Sequence, residues 1–176
     1  SYECWNVVPC SVFSKIRLIT RCDKAHSSIK FGLSSHVIKD FCVSLQSMEH
    51  EYYMKRCLQL AENGRQNAKP NPMVGAVIVA RNRIIGEGYH IRFGEGHAEV
   101  NAFASVKPED EMLLNEATIY VSLEPCSHYG KTPPCADLII SKGIKRCVCG
   151  CVDPFAKVQG RGIQRMRDAG IEVIVG

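Results

Sequence analysis

Regular alternation of hydrophobic and polar positions begins only at Met48, and from there it specifies a string of elements. Tyr53, Cys57, Leu60 and Ala61 recur at helical spacing, which predicts a helix from residue 49 to about Asn63 that stops at Gly64. Met73-Val-Gly-Ala-Val-Ile-Val79, approached through Lys69-Pro-Asn-Pro72, reads as a buried strand. Arg81-Asn-Arg83 is a turn, and Ile84 to His90 a second strand running back. A helix follows from near His97 to about Val106, then a third strand at Thr118–Ser122 and a loop at Leu123–Cys126. Past Pro134 a helix buries Leu138, Ile139 and Ile140 and ends at Gly143. Ile144 to Cys151 is a fourth strand, Gly162 to Asp168 a short helix, and Ile171 to Val175 a fifth strand. The order α-β-β-α-β-α-β-α-β calls for an α/β fold with a five-stranded mixed sheet and helices on both faces.

Residues 1–47 have nine serines and no sustained period, and they contain no methionine. They carry a net charge of +3, which leaves +1 on residues 48–176, so the body of the chain is near neutral. Two readings of this stretch compete: translated sequence upstream of a start at Met48, or the remnant of a Ser-rich, basic targeting peptide. The expectation is a poorly ordered extension over 1–47 and one domain over 48–176. No apolar run nears the ~20 residues that cross a bilayer, so no membrane association is expected. A net charge of +4 over the full chain lacks the dense basic face of a nucleic-acid binder, but it suits a small anionic substrate.

Ten cysteines suggest a disulfide framework until they are placed. Cys4, Cys10, Cys22 and Cys42 lie in the irregular front, and Cys57 on the apolar side of a helix. Cys147, Cys149 and Cys151 alternate along a strand, as core residues do. This distribution favours a reducing, cytoplasmic compartment, with a plastid as the alternative if 1–47 is a transit remnant. Only Cys126 and Cys135 stand in polar, Pro-rich surroundings. Together with His97 they form a ligand set of two soft thiolates and an imidazole, and three protein ligands leave a fourth place open, as catalytic zinc sites do. Glu99 is two residues past the histidine and free to act as a proton shuttle. A histidine, a glutamate two later, and a distant Pro-Cys with a second cysteine form the signature of zinc-dependent base deaminases.

Three segments carry a closer resemblance: Met73–Val79, His97-Ala-Glu-Val-Asn-Ala102, and Thr118–Cys135 with eight residues between the cysteines. Val152-Asp-Pro154 and Gly160-Arg-Gly-Ile163 extend it, so that it runs from about Met48 to Gly176. These segments resemble the deaminase domain of the RibD family of riboflavin biosynthesis, in the cytidine deaminase-like superfamily. Many zinc nucleoside deaminases have two residues between the cysteines, and the longer Ser127–Pro134 loop is the discriminating feature.

The resemblance implies a three-layer α/β/α fold and one zinc per chain on His97, Cys126 and Cys135, with Glu99 catalytic. It implies hydrolytic deamination of 2,5-diamino-6-ribosylamino-4(3H)-pyrimidinone 5′-phosphate to 5-amino-6-(5-phosphoribosylamino)uracil. Asn71, His90, His128, Lys131 and Asp153 match substrate-binding positions, with Lys131 placed for the phosphate. One departure is Asp153-Pro-Phe-Ala156, where many relatives read Asp-Pro-Asn-Pro. Relatives commonly continue into an NADPH-dependent reductase. This sequence shows no dinucleotide-type glycine motif, so the reductase is expected on a further C-terminal part or a separate chain. The resemblance also allows a homo-oligomer, though the sequence does not give the oligomeric state. Rival readings are a cytidine, deoxycytidylate or tRNA adenosine deaminase, and a structural zinc or redox interaction module.

Overall fold

The computed structural model describes residues 35–129, 133–154 and 159–176. The chain divides into two units, Ser1–Lys39 and Asp40–Gly176, and of the first only residues 35–39 are described. The elements are α1 (Ser35–Glu62), β1 (Gly75–Ala80), β2 (Arg83–Tyr89), α2 (Ala98–Ala104), a 3-10 helix (Pro108–Glu116), β3 (Thr118–Val121), α3 (Cys135–Ser141), β4 (Arg146–Cys149), α4 (Arg161–Asp168) and β5 (Glu172–Val175). The five strands form one sheet in the order β2-β1-β3-β4-β5. β1 runs antiparallel to β2 and β3, while β3, β4 and β5 are parallel, so the expected mixed sheet is present.

Alternation along each strand assigns the two faces. Val77 and Val79 of β1, Tyr120 of β3 and Val148 of β4 pack with Tyr53, Cys57 and Leu60 of α1. Ala76, Ile78 and Ala80, with Ile119, Val121, Cys147 and Cys149, pack on the other face among residues of α2, α3 and α4. The result is the α/β/α arrangement of the cytidine deaminase-like fold.

Two glycines permit this closeness of helix and sheet. A Cβ on Gly75 would lie 1.9 Å from the Cys57 carbonyl oxygen of α1, and one on Gly88 would lie 2.3 Å from the Ala102 amide nitrogen of α2. The β1–β2 hairpin turns on Arg81 and Asn82 at φ 51° and 58°, the pair of positive φ values that a two-residue hairpin turn of matching twist requires.

Three sequence expectations need correction. The first helix begins at Ser35, not at residue 49. Val43, Ser44 and Gln46 to Glu49 are exposed, so they bury no face and leave no period to read. The 3-10 helix at Pro108–Glu116 was not anticipated, because only Asp110 and Leu114 in it are buried. Cys151 lies beyond β4 and is exposed, whereas Cys147 and Cys149 are core residues as expected. Among the described residues no helix is long and apolar enough to cross a membrane.

Candidate metal centre and active site

The carboxyl end of β3 and the starts of α2 and α3 converge on one point. His97 is the N-cap of α2, and Cys135 is the first residue of α3. Cys126 follows β3 in the Leu123–Cys126 loop. The His97 Nδ1 atom lies 3.6 Å from the Cys126 sulfur and 3.4 Å from that of Cys135. The three ligand atoms fall within 4.8 Å of one another. The Cys135 backbone N–H donates to the Cys126 sulfur at 3.3 Å, as an amide at a helix start can do for a thiolate.

Electrostatics shape this cluster further. The hydrogen bond from the Cys135 thiol holds Cys126 down at about 4, while the same bond, with burial, pushes Cys135 up. The pair thus gives up a first proton readily and retains the second, a combination suited to a cation that replaces the retained proton. The hydrogen bond with Cys126 raises His97, against burial. Two thiols and an imidazole in contact are the donor chemistry of a zinc site, and with three protein ligands a fourth coordination place remains. Glu99, in the first turn of α2, is 3% exposed. Burial pushes its carboxyl up to about 6, which suits a group that both takes and returns a proton near neutral pH.

The remaining predicted residues fall into four groups. Asn71 and His90 meet: the Asn71 side-chain amide lies 3.1 Å from His90 Nε2. His90 is buried, with Nδ1 3.1 Å from the carbonyl oxygen of Gly96 and its ring edge-on to that of His97 at 5.4 Å. With Nδ1 donating to that carbonyl, Nε2 is left to accept from Asn71. Asp153 follows β4, half-buried, and its backbone N–H donates to Glu124 at 3.2 Å. His128 is exposed at the start of the loop between the cysteines. Lys131 lies outside the described residues, as does Phe155.

Sequence reasoning missed the side chains that hold this loop. Arg165 of α4 donates to the Ser127 carbonyl at 3.2 Å and pairs with Asp137 of α3 at 2.6 Å, and Tyr129 donates to Asp137 at 2.9 Å. It also missed Glu124, a buried carboxylate bonded to backbone amides. Partners on distant segments, or main-chain partners, leave no mark in residue spacing.

Comparison with known proteins agrees with this geometry. Residues 47–151 match the model of the cytidine and deoxycytidylate deaminase zinc-binding region. The chain belongs to that family. Within it, the chain is a RibD-like deaminase domain. It is 50% identical over 129 residues to the riboflavin biosynthesis protein RibD of Escherichia coli (strain K12), covering 73% of this chain and 34% of that one. It is 43% identical over 129 residues to the diaminohydroxyphosphoribosylamino-pyrimidine deaminase of Buchnera aphidicola subsp. Schizaphis graminum (strain Sg), covering 73% of this chain and 85% of that protein. A solved structure of the Thermotoga maritima diaminohydroxyphosphoribosylaminopyrimidine deaminase/5-amino-6-(5-phosphoribosylamino)uracil reductase superposes with a TM-score of 0.68 at 50% identity. The match covers 73% of this chain and 36% of that one. The chain therefore spans about a third of the length of its RibD relatives.

Proposed function

We propose that this chain hydrolytically deaminates the diaminopyrimidine ribotide 2,5-diamino-6-ribosylamino-4(3H)-pyrimidinone 5′-phosphate. The products are 5-amino-6-(5-phosphoribosylamino)uracil and ammonia, with one water consumed. The observation that carries this reading is the convergence of His97, Cys126 and Cys135 beside the buried carboxyl of Glu99. The likeness to a deaminase of which the chain covers 85% supports the choice of substrate.

His97, Cys126 and Cys135 would hold a zinc ion, which when bound would supply the acidity that makes water a nucleophile near neutral pH. Glu99 takes the proton of the attacking water as its oxygen bonds to the ring carbon bearing the amine. The same carboxyl then delivers a proton to the departing nitrogen, and ammonia leaves as the C–N bond breaks. Burial at 3% exposure shelters Glu99 from bulk water and sustains its raised pKa. Asn71 fixes the ring of His90, which stands edge-on against the ligand His97. Reduction of the product is assigned to an NADPH-dependent reductase, on a further part of a longer chain or on a separate one.

The test is ammonia release from a substrate panel by zinc-loaded protein. Fastest turnover of the diaminopyrimidine ribotide is expected. Faster turnover of cytidine or deoxycytidylate would move the chain to a sister activity, and zinc retention with no ammonia from any substrate would leave a structural zinc.

A further inference from the structure

Glu124 is a buried carboxylate that the proton transfer above does not use. It is 4% exposed, and both of its oxygens accept hydrogen bonds from the main chain. Oε1 takes the amides of Gly162 at 2.9 Å and Ile163 at 3.5 Å, in the first turn of α4. Oε2 takes the amides of Asp153 at 3.2 Å and Gly160 at 2.9 Å. One oxygen therefore caps a helix, and the other joins the two ends of the segment 153–160.

The backbone of Glu124 adds a further tie, because its N–H donates to the Cys151 carbonyl at 2.9 Å. The helix it caps also approaches the ligand turn closely. A Cβ on Gly162 would lie 2.0 Å from the Pro125 carbonyl oxygen, so only glycine fits there without displacement. Pro125 leads directly into the ligand Cys126. The turn carrying a metal ligand, the exit of β4 with Asp153, and the start of α4 are thus joined through one side chain.

We propose that Glu124 is a positioning residue for substrate binding. It sets where Asp153 stands relative to the metal centre, and it touches neither metal nor substrate. The proposal rests on the reading of Asp153 as a substrate contact. The chemistry requires a carboxylate, because four amide donors from two directions need two acceptor oxygens. A glutamine offers one oxygen and turns an NH2 toward donors that have lost their acceptor.

The experiment is a double-mutant cycle on the zinc-loaded protein with Glu124→Gln, Asp153→Asn and both together. Glu124→Gln is expected to retain zinc and kcat within about threefold while KM for the ribotide rises about tenfold, the scale of one lost buried hydrogen bond. Asp153→Asn should also raise KM, and the double variant should exceed the worse single variant by less than about twofold. Amide hydrogen exchange should quicken at Asp153 and Gly160 in Glu124→Gln and stay unchanged in α2. Glu124→Asp keeps both oxygens on a shorter stem and should give a smaller KM increase than Gln.

Multiplicative KM effects in the double variant would overturn the proposal, because the two residues would then act independently. A kcat loss as large as the KM rise, or loss of zinc, would overturn it in favour of a structural role at Cys126. Loss of the cooperative melt in both the Gln and the Asp variants would do so as well. An unchanged KM in Asp153→Asn alone would overturn it differently, by removing Asp153 from the substrate and leaving the deaminase reading intact.

Discussion

At the scale of residues, the centre is a set of groups whose protons are poised before any substrate arrives. Glu99 has its carboxyl raised to about 6 by burial, and the adjoining thiols share a retained proton. Glu99→Gln preserves size and a hydrogen-bonding end but cannot carry a proton. Zinc content measured by atomic absorption should stay near one per chain while turnover falls at least ~10²-fold. Loss of zinc on this change would make Glu99 a ligand. These residues were legible in the sequence because their chemistry restricts residue type: few side chains bind zinc, and Glu99 sits two positions from His97. Glu124 was not legible, since its amide partners could belong to residues of almost any type. The Arg165–Asp137 pair was equally hidden, because it joins two helices that only the fold brings together.

At the scale of elements, α1 depends on one missing side chain and one ion pair. Gly75→Ala would put a methyl 1.9 Å from the Cys57 carbonyl, which is main chain and cannot turn aside. A loss of at least ~2 kcal/mol in urea unfolding is expected, with α1 displaced from the sheet. Arg56 of α1 grips Glu87 of β2 through Nε at 2.7 Å and Nη2 at 2.9 Å. This hydrogen bond holds the Glu87 carboxyl below its ordinary value of 4.5, against the effect of burial. A folded-state pKa below the unfolded one adds stability that is present above the unfolded value and is lost as pH falls through the folded one. Glu87→Gln should therefore cost about 0.5 kcal/mol at pH 7, the scale of a part-exposed pair, and the gap to wild type should narrow as pH falls below 4.5 and through the lowered folded value. A gap that does not narrow at all as pH falls below 4.5 would mean that packing, not charge, joins the two elements. Periodicity revealed α1 only where it packs: Tyr53, Cys57 and Leu60 face the sheet, while the exposed residues Val43, Ser44 and Gln46 to Glu49 carry no pattern.

At the scale of the whole molecule, the sheet brings distant chemistry to one edge. β3 and β4 are parallel neighbours, so the loops at their carboxyl ends, with Cys126 and Asp153, emerge side by side, as ligand-binding loops do in α/β sheets. The mixed sheet was legible from the order of elements, but the strand order that makes these loops neighbours is a tertiary fact. The charge balance bears on how a ribotide would be held. Residues 48–176 carry only +1, so attraction of a phosphate bearing nearly two negative charges must come from a local group. Lys131 is the sequence's candidate. It stands four positions before the ligand Cys135 in the sequence, outside the described residues. The loop that contains it is closed at its base, since the Ala136 amide donates to the Cys126 carbonyl at 3.1 Å. A lysine tethered in this way suits a terminal phosphate as a point charge. Deamination of the ribotide should then exceed that of its dephosphorylated form. Lys131→Ala should raise KM for the ribotide about tenfold and leave the dephosphorylated substrate little changed. Raising salt should narrow the difference between the two substrates by screening the pair, which separates a local charge contact from shape selection. Equal kcat/KM on both forms at low salt would remove the phosphate from the recognition scheme, and with it the role of Lys131.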